Sequence, residues 1–159
     1  MIQVGGTLPE VDFSLLENGE ITNPGTNELF SDKRVVLFAV PGAFTPTCSQ
    51  AHLPGYVALA DKLKAKGIDS IICLSVNDAF VMDAWRKDQG IEDEIEMLAD
   101  GAGVFTSAIG LELDLSKRGY GTRSARYAMI VKDAVVTHLN VEAPGKFEVS
   151  DAATILDLL

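Results

Sequence analysis

The run RVVLFAV, residues 34–40, constrains the fold of this 159-residue chain more than any other stretch. After its first residue it is apolar throughout and rich in β-forming side chains, the pattern of a strand buried on both faces of a sheet. The run DSIICLSV, residues 69–76, reads as a second buried strand. Between the two, apolar residues recur at helical spacing from Cys48 to Lys66, and Gly67 suits the end of that helix. The sequence therefore predicts a strand, a helix and a second strand in this order.

The rest of the chain continues this alternation. Before the first buried strand, the patterns predict a hairpin in FSLLENGEIT with its turn at Asn18-Gly19, and then a loop over residues 23–27. After the second buried strand they predict a helix in AFVMDAWRKDQG, a short strand in EIEMLAD and a short helix in AGVFTSAIG. The chain then continues with two strands, RYAMIVK and AVVTHLNV, around Asp133, and with a final helix in SDAATILDLL capped by Ser150 or Asp151. This order predicts an α/β class and a thioredoxin-like fold, with a central mixed sheet flanked by helices and an N-terminal hairpin extension. We expect one domain over residues 1–159, because no repeat or linker divides the chain.

Composition and charge narrow the function. The chain begins without a secretory signal pattern, and its apolar runs are too short to span a bilayer, so we expect a soluble cytoplasmic protein. Thiols are reduced in that compartment, so Cys48 and Cys73 are more typical of catalysis, redox activity or burial than of a structural bridge. The net charge of −10 argues against binding to nucleic acid or to anionic membranes. One segment has a positive charge instead: SKRGYGTRSARY, residues 116–127, holds four of the thirteen basic residues and no acidic residue.

The stretch VPGAFTPTCSQAHLPGY, residues 40–56, presents Cys48 at the start of the predicted helix, directly after the first buried strand. Thr45, Pro46 and Thr47 supply cap and first-turn residues. Unpaired N–H groups and the dipole at a helix N-terminus stabilise an anion, so a cysteine there favours the thiolate. Open α/β folds also place their sites at this edge of the sheet. A reactive thiolate is therefore favoured over the alternative, a small buried hydrophobic side chain.

Neighbouring positions separate the kinds of thiolate chemistry. The third residue after Cys48 is Ala51, which excludes a C-x-x-C motif, and the sixth is Pro54, which excludes a phosphatase-type C-x5-R motif. His52 could contact Cys48 from one helical turn away, as the base of a cysteine hydrolase, but no hydrolase signature surrounds it. A metal site would lack further ligands at a readable spacing. We expect no metal and no other cofactor, and a surface or capping role for His52.

Several motifs together resemble those of the peroxiredoxins. PGAFTPTCSQAHLPGY carries the P-x-x-x-T-x-x-C pattern of their active-site loop at Pro41, Thr45 and Cys48. GAFTPTCS, HLPGY, CLSVNDAFVMDAW and RSARYAMIV look like the type II, or peroxiredoxin-five-like, subgroup, and the similarity extends from GGTLPEV to LNVEAPGKFEVS. The resemblance implies an antioxidant, thiol-dependent peroxidase of thioredoxin-like fold that reduces hydrogen peroxide and organic hydroperoxides without metal or flavin.

The resemblance also implies roles for individual residues. Cys48 would be the peroxidatic cysteine, whose thiolate attacks a peroxide oxygen and becomes a sulfenic acid. Thr45 would hydrogen-bond the thiolate and the peroxide, and Pro41 would shield the site from water. Arg126 matches the active-site arginine of the family, and Arg123 matches a recurrent arginine that we take as a supporting residue. A cation beside Cys48 would favour the thiolate and stabilise charge on the leaving oxygen.

The sequence leaves two routes by which the sulfenic acid could be reduced. Relatives that form a disulfide with the C-terminal region carry a cysteine near KFEVS, where this chain has Val149 and Ser150. Cys73 remains, either as a resolving cysteine or as a buried thiol in its strand. We favour the buried thiol. In that case the resemblance offers glutathione with glutaredoxin, or thioredoxin, as the external reductant.

Aromatic residues near the loop bear on assembly. The resemblance implies a homodimer formed through the active-site loops, for which Phe44, Phe80 and the segment HLPGY, residues 52–56, are candidate contacts, with Phe44 a supporting residue of the site. Trp85 lies at helical spacing from Val81 and is expected in the core. The alternatives to a peroxidase are a peroxide-sensing redox switch and a thioredoxin-like disulfide reductase.

Overall fold

The computed structural model describes all 159 residues and contains nine strands and five α-helices. The strands are β1 (Leu15–Glu17), β2 (Glu20–Thr22), β3 (Arg34–Ala39), β4 (Ser70–Ser75), β5 (Glu96–Ala99), β6 (Glu112–Leu115), β7 (Gly121–Ser124), β8 (Tyr127–Lys132) and β9 (Val135–Val141). The helices are α1 (Thr26–Phe30), α2 (Leu53–Ala65), α3 (Ala79–Asp88), α4 (Val104–Ala108) and α5 (Ala152–Leu156). A π-helical turn, Cys48–His52, directly precedes α2, and a 3-10 turn spans Ser116–Arg118.

A five-stranded mixed sheet, in the order β5-β4-β3-β8-β9, forms the centre of the molecule. The run RVVLFAV provides β3, its middle strand, which is parallel to β4 and antiparallel to β8. Because β3, β4 and β5 are parallel, their carboxyl ends meet at one edge of the sheet. The predicted α/β fold with a central mixed sheet and flanking helices is confirmed. None of its helices combines the length and the apolar content that a membrane span needs.

The side chains of β3 alternate between two cores, one on each face of the sheet. Val36 and Phe38 pack with side chains of α2, α3 and α5. Val35 and Leu37 pack on the other face with α1, α4 and the N-terminal segment. Both faces are covered, which explains why the run is apolar without interruption.

The N-terminal hairpin is confirmed as β1 and β2, but the loop predicted over residues 23–27 is wrong at its end, because α1 begins at Thr26. The Glu28 carboxylate accepts a hydrogen bond from the Gly25 N–H at 3.4 Å, and the Thr26 hydroxyl donates to the Pro9 carbonyl at 2.7 Å. A helix of five residues is too short to show a 3.6-residue period, so periodicity could not predict it.

A second hairpin, β6 with β7, was not predicted. The 3-10 turn links its strands, which pair from Glu112↔Ser124 to Leu115↔Gly121. The hairpin contains most of the acid-free segment, residues 116–127, and so presents basic side chains beside the sheet. Of the two caps proposed for the last helix, Asp151 is the observed one, since its carboxylate accepts from the Thr154 N–H at 3.2 Å.

Candidate active site

Cys48 lies just after β3, in the first turn of a helical run that starts at Pro46, and it is fully buried. The loop between strand and helix is tight. Phe44 adopts a positive φ of 65°, which is strained for a bulky side chain and frequent at functional sites. A Cβ at Gly42 would approach Arg123 Nη1 at 3.0 Å and Thr45 Cγ2 at 3.2 Å, so a larger residue there would press on both side chains. The predicted position of Cys48 at a helix start is confirmed.

Asn77, just beyond the end of β4, fixes this loop to the neighbouring strand. Its Oδ1 accepts from the Ala43 N–H at 3.0 Å and from the Ser75 hydroxyl at 2.6 Å. Ser75 is fully buried. Sequence reasoning missed Asn77, although an amide that follows a buried strand at this edge of the sheet is a recognisable signal.

The π-helical turn begins at Cys48 itself. The Leu53 N–H donates to the Cys48 carbonyl, five residues back. Pro54 follows and has no N–H to offer the carbonyl four residues earlier, which is a common cause of local helix distortion. Trp85 Nε1 donates to Ser49 Oγ at 3.0 Å, which ties α3 to this turn. Trp85 is fully buried, so its predicted core role is confirmed.

Arg126, between β7 and β8, reaches the cysteine. Its Nη2 donates to Cys48 Sγ at 3.1 Å, and its guanidinium lies 5.7 Å from the centre of the Phe147 ring. The guanidinium forms no salt bridge with a carboxylate. A positive charge, a helix start and burial therefore meet at one sulfur atom. The guanidinium and the helix start favour negative charge that develops at or beside this atom during a reaction, whereas burial opposes it.

His52 has a different place from the one expected. A surface role is wrong, because the ring is fully buried between Arg126 and the segment that precedes α5, and a capping role is wrong, because the side chain makes no cap hydrogen bond at the start of α2. Arg126 Nη1 lies 2.9 Å from His52 Nδ1, and His52 Nε2 lies 3.0 Å from the Ser150 carbonyl oxygen. A carbonyl only accepts and a guanidinium only donates, so Nε2 carries the proton and Nδ1 is the acceptor. Burial first, and then Arg126, lower the pKa of His52 to about 3, so the ring is neutral.

Glu142 organises the segment that supplies the Ser150 carbonyl. Its carboxylate accepts from the N–H groups of Glu148, Val149 and Ser150 and from the Ser150 hydroxyl, at 2.7–2.9 Å. Burial raises the pKa of Glu142, but these hydrogen bonds outweigh it and hold the pKa below its usual value. We call residues 142–150, closed around this carboxylate, the Glu142 loop. Through Ser150 and His52, the Glu142 loop is connected to Arg126 and hence to Cys48.

The other predicted residues surround this centre. Thr45 Oγ1 donates to the Gly42 carbonyl at 2.6 Å, so its bond to the thiolate and the peroxide stays a prediction. Arg123 Nη1 donates to the Pro41 carbonyl at 3.5 Å, which braces the loop without reaching the sulfur. Pro41, Thr45 and Arg126 line one open cavity of about 530 Å³.

Cys73 lies in β4, where it is opposite Phe38 in β3 and Met97 in β5. It is free and fully buried in the same core as Cys48. Burial raises the pKa of the Cys73 thiol well above its usual value. No three His, Cys, Asp or Glu side chains converge in a way that could hold a metal ion.

Comparisons with known proteins agree with one another. The family model described as Redoxin matches residues 3–156. Peroxiredoxin-2E, chloroplastic, of Arabidopsis thaliana is 51% identical over 99% of this chain and 69% of its own length, and Peroxiredoxin-2B of the same plant is 47% identical over 99% and 98%. The crystal structure of reduced Prx3 from Vibrio vulnificus in complex with hydrogen peroxide has a TM-score of 0.96 and 59% identity, and the match covers 99% of both chains.

Proposed function

Because the chain belongs to the peroxiredoxins of the Redoxin family, and is therefore a thiol-dependent peroxidase with an antioxidant function, we propose that Cys48 is the cysteine that reacts with peroxide. The contact of 3.1 Å between Arg126 and Cys48, at the start of a helix, carries this assignment. Cys73 offers no comparable environment, because its thiol is enclosed in the sheet and the guanidinium of Arg126 donates to Cys48 instead.

The chemistry follows from this geometry. The Cys48 thiolate attacks one oxygen of the hydroperoxide, a sulfur–oxygen bond forms, and the oxygen–oxygen bond breaks. The enzyme is left with a sulfenic acid, and the departing oxygen takes up a proton and leaves as water or an alcohol. Arg126 donates hydrogen bonds where negative charge passes from sulfur to oxygen, Thr45 orients the peroxide, and Pro41 limits access of water.

Replacement of each cysteine in turn tests the assignment. Cys48→Ser should abolish peroxide consumption in the presence of a thiol reductant, whereas Cys73→Ser is the matched control because it changes the other buried thiol of the same core. Turnover that persists in Cys48→Ser, or that vanishes only in Cys73→Ser, would contradict the assignment.

For the second half of the cycle, we propose that an external thiol, from glutathione with glutaredoxin or from thioredoxin, reduces the sulfenic acid. The burial of Cys73 supports this route, because a Cys48–Cys73 disulfide would require opening of the core around β4. Mass spectrometry under non-reducing conditions, after one equivalent of peroxide, distinguishes the routes. Cys48 sulfenic acid or its glutathione adduct is expected; a Cys48–Cys73 disulfide would refute the proposal. Steady-state assays with each reductant then identify the partner.

We also propose a homodimer that pairs through the carboxyl edge of the sheet. Phe44 follows β3, Phe80 follows β4 in the first turn of α3, and Val104 follows β5 in the first turn of α4. Their exposed fractions are 50%, 66% and 53%. Contrary to expectation, the HLPGY segment does not contribute to such a surface, because the side chains of His52, Leu53 and Tyr56 are fully buried. A row of exposed apolar side chains beside the active-site loop favours burial against a partner. We call Phe44, Phe80 and Val104 the edge row.

A reducing compartment such as the cytoplasm is the setting that we propose for this cycle. Both cysteines are free thiols, and the cycle consumes thiol reductant at every turnover. Fractionation of the source cells followed by immunoblotting tests this proposal, and recovery in an oxidising compartment would contradict it.

A further inference from the structure

The cavity lined by Thr45, Thr47 and Arg126, next to the buried Cys48, is much larger than hydrogen peroxide needs. Its volume is about 530 Å³, whereas a water molecule occupies roughly 30 Å³ of the liquid. Pockets of this size in proteins hold organic ligands. Room for a carbon chain therefore exists beside Arg126, whose guanidinium contacts the reacting sulfur.

Two opposite walls define what this space accepts. The unpredicted hairpin provides one wall, where Leu113 and Leu115, alternate residues of β6, turn half-buried side chains to the cavity. The residues between and before them, Asp114 and Glu112, are exposed and do not line it. The Glu142 loop provides the other wall, with Phe147 as its apolar contact. The interior of the cavity thus favours a ligand with an aliphatic or aromatic group.

The charged groups at the cavity are almost all positive. Three cations line it: Arg118 belongs to the 3-10 turn of the hairpin, Lys146 to the Glu142 loop, and Arg126 to the short segment between β7 and β8. Neither Arg118 nor Lys146 forms a salt bridge. The single lining carboxylate is Glu142, and its oxygens already accept hydrogen bonds from four donors. In a protein of net charge −10, this cavity is a local site of attraction for anions.

We propose that the cavity selects hydroperoxides that carry a carboxylate on an apolar chain, with Arg118 and Lys146 as the groups that bind the carboxylate. This inference rests on the proposed function and specifies the substrate class of the same site. The hydroperoxide end reaches Cys48, the chain lies between Leu115 and Phe147, and the carboxylate remains at the rim. Cys48 becomes a sulfenic acid, the oxygen–oxygen bond breaks, and the alkoxide takes a proton and leaves as a hydroxy acid.

The test compares a medium-chain hydroperoxy acid, too short to form micelles under the assay conditions, with its methyl ester. The two share the same chain and hydroperoxide group, and the ester replaces the negative charge with a neutral group that is one methyl larger. Rates of oxidation of the reduced protein are followed by stopped flow without any reductant, so binding of glutathione cannot contribute. Trp85, the only tryptophan, is a suitable fluorescent reporter because it is bonded to Ser49, next to Cys48. Each exposed ion pair changes binding a few-fold, so the acid should react about tenfold faster than the ester at low salt. The preference should decline as salt screens the pair.

The double variant Arg118→Gln/Lys146→Gln should bring the acid-to-ester ratio close to one. Lys117→Gln is the matched control, because Lys117 is in the same turn as Arg118 and does not line the cavity. It removes one positive charge and should keep the ratio. Since each ratio is measured within one protein, a partly misfolded variant does not disturb it. An equal rate for acid and ester in the native protein, or a ratio that survives the double substitution, would overturn the inference. Failure to react with hydrogen peroxide would instead refute the proposed function.

Discussion

His52, which accepts a hydrogen bond from Arg126, is neutral, so it does not weaken the positive charge that Arg126 presents to Cys48. A carboxylate at the position of His52 would bind the guanidinium more strongly, but it would also cancel most of its charge at the sulfur. The imidazole accepts one hydrogen bond through Nδ1 and leaves the positive charge available. The Ser150 carbonyl fixes the ring orientation and its tautomer from the other side. At the scale of single residues, His52 therefore acts through Arg126 as a positioning residue.

Two amide substitutions of His52 separate its two hydrogen bonds. In His52→Asn, the amide oxygen can take the place of Nδ1 and accept from Arg126, while the bond to Ser150 is lost. In His52→Gln, the amide nitrogen can take the place of Nε2 and donate to Ser150, while Arg126 loses its acceptor. A hydrogen bond to a charged group contributes roughly 1.5–3 kcal/mol, so His52→Gln should slow Cys48 oxidation by about 10- to 100-fold and His52→Asn by much less.

The measurement is the second-order rate of oxidation by hydrogen peroxide across pH, with thermal unfolding of each variant recorded alongside. A purely structural role for His52 would reduce the stability of both variants and leave the rate of the folded protein unchanged. Equal rates in Asn and Gln variants would therefore contradict the positioning role.

Acid stability provides a second prediction for His52. The pKa falls from 6.5 to about 3 on folding, chiefly through burial. Between these values the unfolded chain binds a proton that the folded chain does not, so the stability contribution is lost as the pH falls below 6.5. The expected slope is about 1.4 kcal/mol per pH unit. Urea unfolding of the native protein should show about half of this slope near pH 6.5, where the unfolded ring is half protonated, and nearly all of it by about pH 5.5, and His52→Asn should lack this contribution. Parallel stability curves for the two proteins would be inconsistent with a neutral buried ring.

At the scale of elements, the Glu142 loop is a segment without helix or strand that is nevertheless fixed, because one carboxylate satisfies three consecutive N–H groups and a hydroxyl. It carries two groups that the site uses: the Ser150 carbonyl, which orients His52, and Phe147, which lies against Arg126. The loop thus links a carboxylate outside the catalytic centre to the orientation of the guanidinium.

Glu142→Gln should loosen this loop. An amide places N–H groups against the donors of residues 148–150, so we expect a loss of about 1–3 kcal/mol in the free energy of unfolding at neutral pH. Because the hydrogen bonds lower the pKa of Glu142, its contribution is present above the usual value of 4.5 and is lost as the pH falls through the lowered pKa. Hydrogen exchange of the amides of residues 148–150 should accelerate in this variant. Glu148→Gln is the control, because its exposed side chain accepts no hydrogen bond within the loop, and equal protection in both variants would disprove the role of Glu142.

The elements that periodicity predicted are those whose contacts are local or repeat along the chain. The burial of β3 is evident from its uninterrupted run of apolar residues, and the burial of α2 and α3 from apolar residues at helical spacing. His52 could not be assigned in the same way, because it is buried by Phe147 and Ser150, which lie more than ninety residues further along the chain. The hairpin of β6 and β7 has only four residues in each strand, and its half-buried leucines alternate over a single repeat. Cys48 was identified from its position at a helix start and Arg126 from the family resemblance, and only the folded structure shows that their atoms meet.

At the scale of the whole molecule, the three parallel strands place chemistry and association at the same edge. Cys48 follows β3, Asn77 follows β4, and the edge row extends across β3, β4 and β5. A partner bound there would lie beside the active-site loop. Of the other exposed large apolar side chains, Met1, Val4 and Ile21 belong to the N-terminal segment and its hairpin, and the rest lie apart from one another along the chain, at Tyr120, Val149 and Leu158.

The edge row predicts how association responds to substitution. Phe80 is 66% exposed, so Phe80→Ser costs the folded monomer little packing, but in a symmetric dimer it removes an apolar contact twice. Burial of one such side chain contributes roughly 1.5–3 kcal/mol, so the dissociation constant should rise by at least about a hundredfold. Sedimentation velocity over a range of protein concentrations measures it. Val4→Ser, at another exposed apolar position, should leave the constant unchanged. Sedimentation of the native protein as a monomer at micromolar concentration would contradict the proposed dimer. Dimerisation of Phe80→Ser as tight as that of the native chain would show that the edge row is not its interface.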